Sequence, residues 1–446
     1  MSFDLIPEPQ SVTLKGEAAD SDDAGAPVPV ALPLVGRISE DRDIDDIAGV
    51  FPTQLADDIE AATGLRWDIA SDVMVAGLPA PNAATAHPVP PHASCWKSFI
   101  TLRLDPSSLE PQEYRLTIAR SGIDVVGGDT EGVRNGVQTL RQIIRQCAPA
   151  LPRLVIADKP AYKVRGYYLD ATRGRVPTLD WLKTWADRLC LYKYNQLQLY
   201  IEHTFMFDDL SETWRGTSPL KPADIIAFDE YCARLGIELV PSVSTFGHQY
   251  MAMRTRELRH LGEFPEDADR RYGFVERQRH HTLNITEPES LAFSFKLIDA
   301  YMQLFRTRKF NICGDETFDL GRGRSKPEAE RRGVAAMYAD FVSQLCRHLS
   351  ERGREPMFWG DIAVEMPQIL GLLPDNVTLL NWLYAPGIGE DKVRLVAQAG
   401  PAVRVLGGMV LECAAAAPRR LVEQHLPTRA LRREVRCGRV PGDRLG

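Results

Sequence analysis

Residues 310–317 read FNICGDET, a short apolar run that passes directly into a glycine and two carboxylates. A run of this kind is typical of a strand buried on both faces, as in a parallel sheet. Together with five similar runs it predicts six strands: Arg165–Asp170, Gln196–Ile201, Glu238–Val243, Phe310–Cys313, Met357–Trp359 and Val377–Trp382. Polar or aromatic residues follow nearly every run, which indicates that the strands end at one common face.

Between these runs the apolar residues recur at helical spacing. The clearest helical faces lie within residues 179–190, 225–235 and 337–349, and a glycine follows each of the last two. Strand and helix units in alternation predict an α/β fold with a parallel sheet, and six such units in order favour a (β/α)8 TIM barrel. The active site of a barrel lies at the carboxyl ends of its strands. A doubly wound sheet is the alternative, and the common polar face favours the barrel.

The segment before the first of these strands has a different pattern, and we predict a small α/β domain over residues 1–160. Apolar and polar residues alternate over Tyr114–Ile118 and resume at Ile123 after a Ser-Gly turn, which predicts a hairpin. Apolar residues at helical spacing over 133–144 predict an amphipathic helix directly after the hairpin. The barrel would then occupy residues 161–400.

Composition excludes several classes of protein. Hydrophobic residues make up 44% of the 446-residue chain and charged residues 25%, and no stretch is long and apolar enough for a membrane helix. A net charge of −7 argues against a nucleic-acid partner. The N-terminus, MSFDLIPEP, lacks the features of a signal peptide, so we expect a cytoplasmic location. Eight cysteines without ligand spacing predict neither zinc nor disulfides.

Ionisable and aromatic residues gather at the predicted strand ends. In chain order they are Arg165, Asp170, Arg173, Arg175, Glu202, His203, His248, Asp315, Glu316, Trp359, Asp361, Trp382 and Tyr384, and the polar Asn381 accompanies the last two. Each alone has an ordinary explanation, such as a surface charge for Arg165 or core packing for Trp359. Burying several charges together is costly unless they pair or meet a ligand, so the whole group predicts a binding site.

Asp315 and Glu316 are the most informative pair. Adjacent residues of a strand point to opposite faces, so both carboxylates reach one pocket only if the strand has ended and Gly314 permits a turn. Trp359 and Trp382 are the last residues of two neighbouring predicted strands. Indole rings that stack on a pyranose, with carboxylates as acid and base, are typical of a sugar site.

Four segments of the predicted barrel resemble glycoside hydrolase family 20, the β-N-acetylhexosaminidases. They are RGYYLDATRGRVP from Arg165, LYKYNQLQLYIEHTF from Leu191, TFGH from Thr245 and FNICGDET from Phe310. IPEPQSV near the N-terminus and YRLTI with GVRNGVQTLRQ resemble the small α/β domain that precedes the family's barrel. The resemblance covers most of residues 5–390. It implies a substrate that ends in N-acetylglucosamine or N-acetylgalactosamine, and we expect no metal and no cofactor.

The resemblance also implies substrate-assisted retention, in which the carbonyl oxygen of the substrate's own 2-acetamido group attacks the anomeric carbon. Glu316 would be the general acid that protonates the leaving oxygen and later the base that activates water. Asp315 would accept the acetamido N–H and stabilise the positive charge that develops.

Five further residues receive binding roles from the same resemblance. Arg165 would grip the hydroxyls of the terminal sugar, His248 would lie beside the acid, and Trp359 and Trp382 would form walls around the acetamido methyl and the ring. Many members of the family carry two aspartates after the second strand. This chain has Glu202 followed by a histidine there, so Glu202 is the predicted substitute.

Residues 401–446 depart from the family. They hold nine arginines against four acids and contain no Trp, Tyr, Phe or Lys, whereas the family continues through a seventh strand and an eighth strand with a Trp-bearing, acid-rich motif. We therefore expect an atypical Arg-rich tail, explained by a shift of reading frame near residue 400 or by a truncated barrel that lacks its normal final strand. A divergent helical C-terminus is the alternative.

Two other functions remain open from the sequence. A barrel without its final strand would be a catalytically inactive or impaired sugar-binding protein. A barrel that held Mg²⁺ on Asp315, Glu316 and Asp361 could perform enolate chemistry, which would also need a catalytic Lys or His at a strand end.

Overall fold

A computed structural model describes six ranges of the chain: residues 3–14, 28–47, 49–70, 98–383, 390–398 and 402–407. These residues form two α/β units, each built on its own seven-stranded sheet. The first sheet ends at Asp158 and the second begins at Gly166. No helix within these six ranges has the length and apolar character needed to cross a membrane.

The first unit places two helices against a mixed sheet. Its elements are β1 (Ser11–Leu14), β2 (Val30–Ala31), β3 (Arg37–Glu40), α1 (Val50–Thr63), β4 (Asp68–Ala70), β5 (Ile100–Leu104), β6 (Tyr114–Ala119), β7 (Gly122–Gly127), α2 (Thr130–Cys147), β8 (Ala150–Leu151) and β9 (Leu154–Asp158). The sheet order is β1-β9-β6-β7-β5-β3-β4, and β2 pairs with β8 separately. Strands β6 and β7 are antiparallel, with Leu116 opposite Val125, which confirms the predicted hairpin.

Helix α2 confirms the predicted amphipathic helix. The side chain of Asp129 caps its first turn by accepting a hydrogen bond from the Gly132 N–H at 2.7 Å. The helix packs closely on β7, because a Cβ at Gly136 would lie 2.6 Å from Val125 Cγ1. A side chain at position 136 would therefore push the helix off the sheet.

The second unit alternates parallel strands with helices, as predicted. Its strands are β10 (Gly166–Asp170), β11 (Gln196–Ile201), β12 (Glu238–Val243), β13 (Lys309–Asn311), β14 (Glu355–Trp359), β15 (Thr378–Leu383) and β16 (Ala402–Gly407). Its α-helices are α3 (Leu179–Leu191), α4 (Ser211–Trp214), α5 (Pro222–Arg234), α6 (Tyr250–Met253), α7 (Phe274–Arg277), α8 (Pro288–Met302), α9 (Lys326–Arg332), α10 (Val334–Glu351), α11 (Asp361–Glu365) and α12 (Glu390–Gln398). Short 3₁₀ helices lie at Arg259–Leu261, Pro265–Asp267 and Pro367–Leu372.

The parallel sheet curls into a barrel. Its order is β10-β11-β12-β13-β14-β15-β16, yet the Tyr168 ring on β10 lies edge-on to Trp359 on β14, with ring centroids 5.0 Å apart. Tyr168 Oη also lies 3.0 Å from Ser242 Oγ on β12, and Ser242 Oγ lies 3.3 Å from Cys313 Sγ. Strands four places apart can meet in this way only if the sheet is strongly curved. These side chains fill the barrel interior beneath the carboxyl ends of the strands.

The seventh strand corrects the predicted domain boundary. Ala402–Gly407 pairs in parallel with β15 over six residues, from Thr378 opposite Ala402 to Leu383 opposite Gly407. The barrel sheet therefore continues into the range 401–446 that the sequence assigned to an atypical tail. This strand has the apolar sequence AVRVLG. Its arginine, like the arginines that follow it, had favoured the prediction of an atypical tail. The remainder of that range, 408–446, lies outside the described residues.

Candidate active site

Asp315 and Glu316 lie on a tight turn after β13. The strand ends at Asn311, and positive φ angles follow at Cys313 (62°), Gly314 (76°) and Glu316 (49°). The hydroxyl of Tyr338 donates to the Gly314 carbonyl at 2.8 Å and so fixes the turn from helix α10. The expected turn at Gly314 is therefore present, and it brings both carboxylates to the same side of the barrel.

His248 lies between these two carboxylates. Its Nε2 is 3.4 Å from Asp315 Oδ2 and 3.3 Å from Glu316 Oε2, which are ion-pair distances without an aligned hydrogen bond to either oxygen. Burial alone lowers the pKa of His248, but the charge of Asp315, with Glu316 and Glu202, more than offsets burial and raises that pKa to about 10. The imidazole is therefore protonated at neutral pH.

Asp315 is the ionised partner of this imidazolium. Burial raises the pKa of Asp315, but the neighbouring charges of His248 and Arg173 outweigh burial and hold the pKa below its usual value. Its second oxygen, Oδ1, is buried and has no hydrogen-bond partner within the described part of the chain. A buried anionic acceptor without a donor is costly, so this atom is suited to accept an N–H or O–H from a ligand.

The loop after β12 holds His248 through backbone and hydroxyl contacts. Thr245 Oγ1 donates to the Ile312 carbonyl at 2.8 Å, and Ser244 Oγ donates to the Gly247 carbonyl at 2.7 Å. A Cβ at Gly247 would lie 2.5 Å from the Asp315 carbonyl oxygen. The TFGH segment therefore needs a glycine here, since the loop packs directly on the backbone of the acid pair.

We expect Gly247→Ala to displace Asp315 and to lower kcat roughly 10- to 100-fold, because a small misplacement of reacting groups costs about that much. The clash is with backbone, which cannot rotate away. Steady-state hydrolysis and melting temperature would measure the effect. Gly273→Ala is the matched control, since no atom lies within 4 Å of its Cβ and its φ of −64° suits alanine. Equal activity of the two variants would contradict this packing argument.

Glu202 and Arg173 extend the site toward β10. Glu202 Oε1 accepts a hydrogen bond from the Tyr200 hydroxyl at 2.9 Å, and Arg173 Nε lies 3.9 Å from the same oxygen. Burial raises the pKa of Glu202, and the charges of His248 and Arg173 partly offset this. Arg173 is itself fixed by Asp170, whose Oδ2 accepts from Arg173 Nε at 2.6 Å. Glu202 thus lies close enough to His248 for their charges to interact, and its role in binding the sugar stays a prediction.

Arg165 does not lie at this site, which corrects the role carried over from the resemblance. It precedes β10, at the amino end of the barrel strands, and contacts the first unit. Its guanidinium donates to the Lys193 carbonyl at 2.7 Å and to Gln112 Oε1 and Glu131 Oε1, each at 2.8 Å. Arg165 therefore joins the two units. Arg173 follows the same strand at its carboxyl end, where the active site of a barrel lies. That position in the sequence favours Arg173 over Arg165 as the arginine that binds the sugar hydroxyls.

Trp359 is the last residue of β14, and Trp382 is the last but one of β15. Trp359 is 6% exposed and packs edge-on against Tyr168 inside the barrel. Trp382 is partly buried against the same interior cluster. Both indoles therefore lie at the carboxyl end of the barrel, where the sequence placed them. Two further acids at this end, Asp170 and Asp361, belong to the predicted group at the strand ends but were given no role in binding the sugar.

Three side chains of the site carry atoms that could bind a metal ion. Within the described ranges, His248, Asp315 and Glu316 offer three ligand atoms within 4.8 Å of one another. A histidine binds a metal through an unprotonated nitrogen. The pKa of His248, raised to about 10, means that a proton competes with any metal ion for this imidazole at neutral pH.

Comparison with known proteins identifies the family. Residues 162–405 match the profile described as "Glycosyl hydrolase family 20, catalytic domain", and residues 45–159 match "Glycosyl hydrolase family 20, domain 2". The chain belongs to glycosyl hydrolase family 20. The two matched ranges correspond to the barrel and to most of the small α/β unit before it.

Curated relatives are similar to this chain over part of their length. A β-hexosaminidase of Akkermansia muciniphila is 30% identical over 286 residues, which are 56% of this chain and 56% of that protein. A lacto-N-biosidase of Bifidobacterium bifidum is 26% identical over 315 residues, which are 67% of this chain and 26% of that protein. The chain thus spans about a quarter to a half of these relatives.

Solved structures of family 20 share the fold. An N-acetyl-β-hexosaminidase of Streptomyces plicatus has a TM-score of 0.64 at 20% identity, covering 90% of this chain and 73% of its own. An exo-β-N-acetylglucosaminidase of Vibrio harveyi in complex with N-acetylglucosamine has a TM-score of 0.66 at 17% identity, covering 90% and 60%. At these identities the likeness establishes the barrel and its preceding domain.

Proposed function

We propose that the chain is a retaining exo-β-N-acetylhexosaminidase that removes terminal N-acetylglucosamine or N-acetylgalactosamine by substrate-assisted catalysis. The observation that carries the proposal is the arrangement of Asp315 and Glu316 around one imidazolium, with Asp315 Oδ1 buried and without a donor. Membership of family 20 and the named activities of the relatives support it.

In the first step the carbonyl oxygen of the 2-acetamido group attacks the anomeric carbon while the glycosidic bond breaks. Glu316 gives its proton to the departing oxygen, and Asp315 Oδ1 accepts the acetamido N–H, whose positive charge increases as the ring closes. In the second step Glu316, now a carboxylate, takes a proton from water as the water opens the oxazolinium ring. Two inversions at the anomeric carbon restore the β configuration.

Arg173 takes the sugar-gripping role that the sequence had given to Arg165. Asp170 and Gln278 hold its guanidinium, with Gln278 Oε1 accepting from Nη1 at 3.2 Å. A fixed fork of donors suits the paired hydroxyls at the non-reducing end of a sugar. The guanidinium of Arg173 also lies beside the carboxylate of Glu202. Together these two side chains offer hydrogen-bond donors and an acceptor to the hydroxyls of the sugar ring.

This assignment predicts opposite effects for two arginine variants. Arg173→Ala should raise KM about 10- to 100-fold, the equivalent of losing hydrogen bonds to a charged group. Arg165→Ala should leave KM nearly unchanged and lower the free energy of unfolding by about 1–3 kcal/mol, because the junction of the two units loses the hydrogen bonds that Arg165 donates to Gln112, Glu131 and the Lys193 carbonyl. Steady-state kinetics and denaturant unfolding separate the two. A large KM effect from Arg165→Ala would restore the sequence-based assignment.

The alternative of an inactive barrel is not favoured. It rested on the missing eighth strand, and the strand that the structure adds after residue 400, β16, is the seventh. The match of residues 162–405 to the catalytic-domain profile favours the hydrolase. The acid pair follows β13, three strands away from β16 in the sheet.

Chromogenic glycosides test the proposed function. We expect release of nitrophenol from the β-N-acetylglucosaminide or the β-N-acetylgalactosaminide, and none at a useful rate from the β-glucoside, which lacks the acetamido group. Proton NMR should show the β anomer of the free sugar first. Absence of hydrolysis of both acetamido substrates, or first appearance of the α anomer, would refute the proposal.

A further inference from the structure

Asp361 occupies a fixed place at the carboxyl end of β14. The backbone there is bonded to both neighbouring strands, since the Trp359 N–H donates to the Cys313 carbonyl at 2.9 Å and the Gly360 N–H donates to the Leu380 carbonyl at 2.8 Å. Gly360 has no room for a side chain, because a Cβ would lie 2.2 Å from a side-chain oxygen of β15. Asp361, the next residue and the first of α11, is therefore held between the ends of β13 and β15.

From this place Asp361 contacts the backbone of Glu316. Asp361 Oδ2 accepts a hydrogen bond from the Glu316 N–H at 3.0 Å. Glu316 has a φ of 49°, in the left-handed region that residues with a Cβ rarely adopt. Such a conformation persists only where surrounding contacts hold it, and these contacts cluster at functional sites. The Asp361 carboxyl is a contact of this kind, supplied by a neighbouring strand.

The carboxyl of Asp361 is also unusual in its surroundings. Burial raises its pKa well above the usual value, and the charges of Asp315 and Glu316 raise that pKa further. Its other oxygen, Oδ1, is buried and has no hydrogen-bond partner in the part of the chain that the structure describes. An oxygen of this carboxyl accepts the Glu316 N–H whether or not the carboxyl carries a proton, so the contact does not depend on its charge.

We propose that Asp361 is a positioning residue for the general acid, whose hydrogen bond to the Glu316 N–H holds the backbone that aims the Glu316 carboxyl at the glycosidic oxygen. Asp361 acts through Glu316 and not on the substrate. The role of Glu316 as general acid rests on the proposed function. The effect of Asp361 on the conformation of Glu316 does not depend on that function.

Three variants test this role. Asp361→Ala removes the acceptor, Asp361→Asn keeps an acceptor of the same size without charge, and Glu365→Ala is the control at the exposed far end of the same short helix. We expect the alanine variant to lose about 10- to 100-fold in kcat with little change in KM, and to lose more on sugar leaving groups than on nitrophenol. The asparagine variant should have a kcat within about 3-fold of that of the original chain, because its amide oxygen can still accept the Glu316 N–H.

Crystal structures of the variants give a readout that does not require activity. Glu316 should leave its left-handed conformation, or its carboxyl should turn away from His248, in Asp361→Ala but not in Asp361→Asn. Asp361→Ser is a milder truncation that replaces the alanine variant if the latter does not fold. An unchanged Glu316 in the truncated variant, or equal losses of kcat in the alanine and asparagine variants, would overturn the proposal. If the original chain hydrolyses no acetamido glycoside, the proposed function fails, and the crystal structures still decide the role of Asp361.

Discussion

Replacing Glu316 with glutamine is expected to lower kcat/KM about 10²- to 10⁴-fold on natural disaccharides, the usual contribution of general acid catalysis. Glutamine keeps the size of the side chain but has no proton to give to the departing oxygen. Nitrophenol needs little protonation as it leaves, so the first step on a nitrophenyl glycoside should slow much less. Rates on a series of aryl glycosides of rising leaving-group pKa would show a steeper dependence in the variant than in the original chain.

A second arm of this experiment examines the hydrolysis step. With Glu316→Ala, added azide needs no general base and should speed turnover of activated substrates, giving the β-glycosyl azide by attack on the oxazolinium ring. The His248 imidazolium remains beside Asp315 in this variant, so the oxazolinium can still form. Equal losses on good and poor leaving groups, with no response to azide, would show that Glu316 is not the acid and base.

The fold could be predicted because its signals are local. Strands β10 to β15 are short apolar runs bounded by helical patterns, and each lies within a few residues of its predicted range. Strand β16 was missed because the same kind of run, AVRVLG, stands in an Arg-rich context and was judged by composition. The spacing of apolar residues, which indicates whether one face of a strand or both are buried, predicts this strand better than the composition does.

The site was predicted less evenly, for physical reasons. Residues that follow a strand at its carboxyl end, such as Glu202 and His248, are brought together by barrel geometry alone. Arg165 failed because it precedes its strand, and the same rule selects Arg173. The contact between Asp361 and the Glu316 backbone could not be predicted, since it depends on a positive φ at a residue that is not glycine.

Asp315→Asn should reduce kcat about 10²- to 10³-fold, the usual cost of removing one group that stabilises charge in the transition state. The variant keeps the shape of the side chain, but it loses the negative charge that faces the acetamido nitrogen as positive charge develops there. KM should change less than kcat, because this interaction strengthens as the ring closes. A variant that raised KM alone would indicate that Asp315 only binds the sugar.

The same substitution should also be visible without substrate, through His248. In the original chain the folded state keeps the His248 proton up to a pKa of about 10, whereas an unfolded histidine titrates near 6.5. Between these values the folded state binds more protons, so the free energy of unfolding should fall as pH rises through this window. Asp315 is the largest charge that raises this pKa, so Asp315→Asn should lower it and flatten the pH dependence of stability. NMR titration of the His248 ring measures the pKa, and urea unfolding at pH 6 to 10 measures the free energy of unfolding. An unchanged His248 pKa in the variant would show that Asp315 is not the ion-pair partner of His248. The ion pair would then not explain how Asp315 is oriented toward the acetamido group.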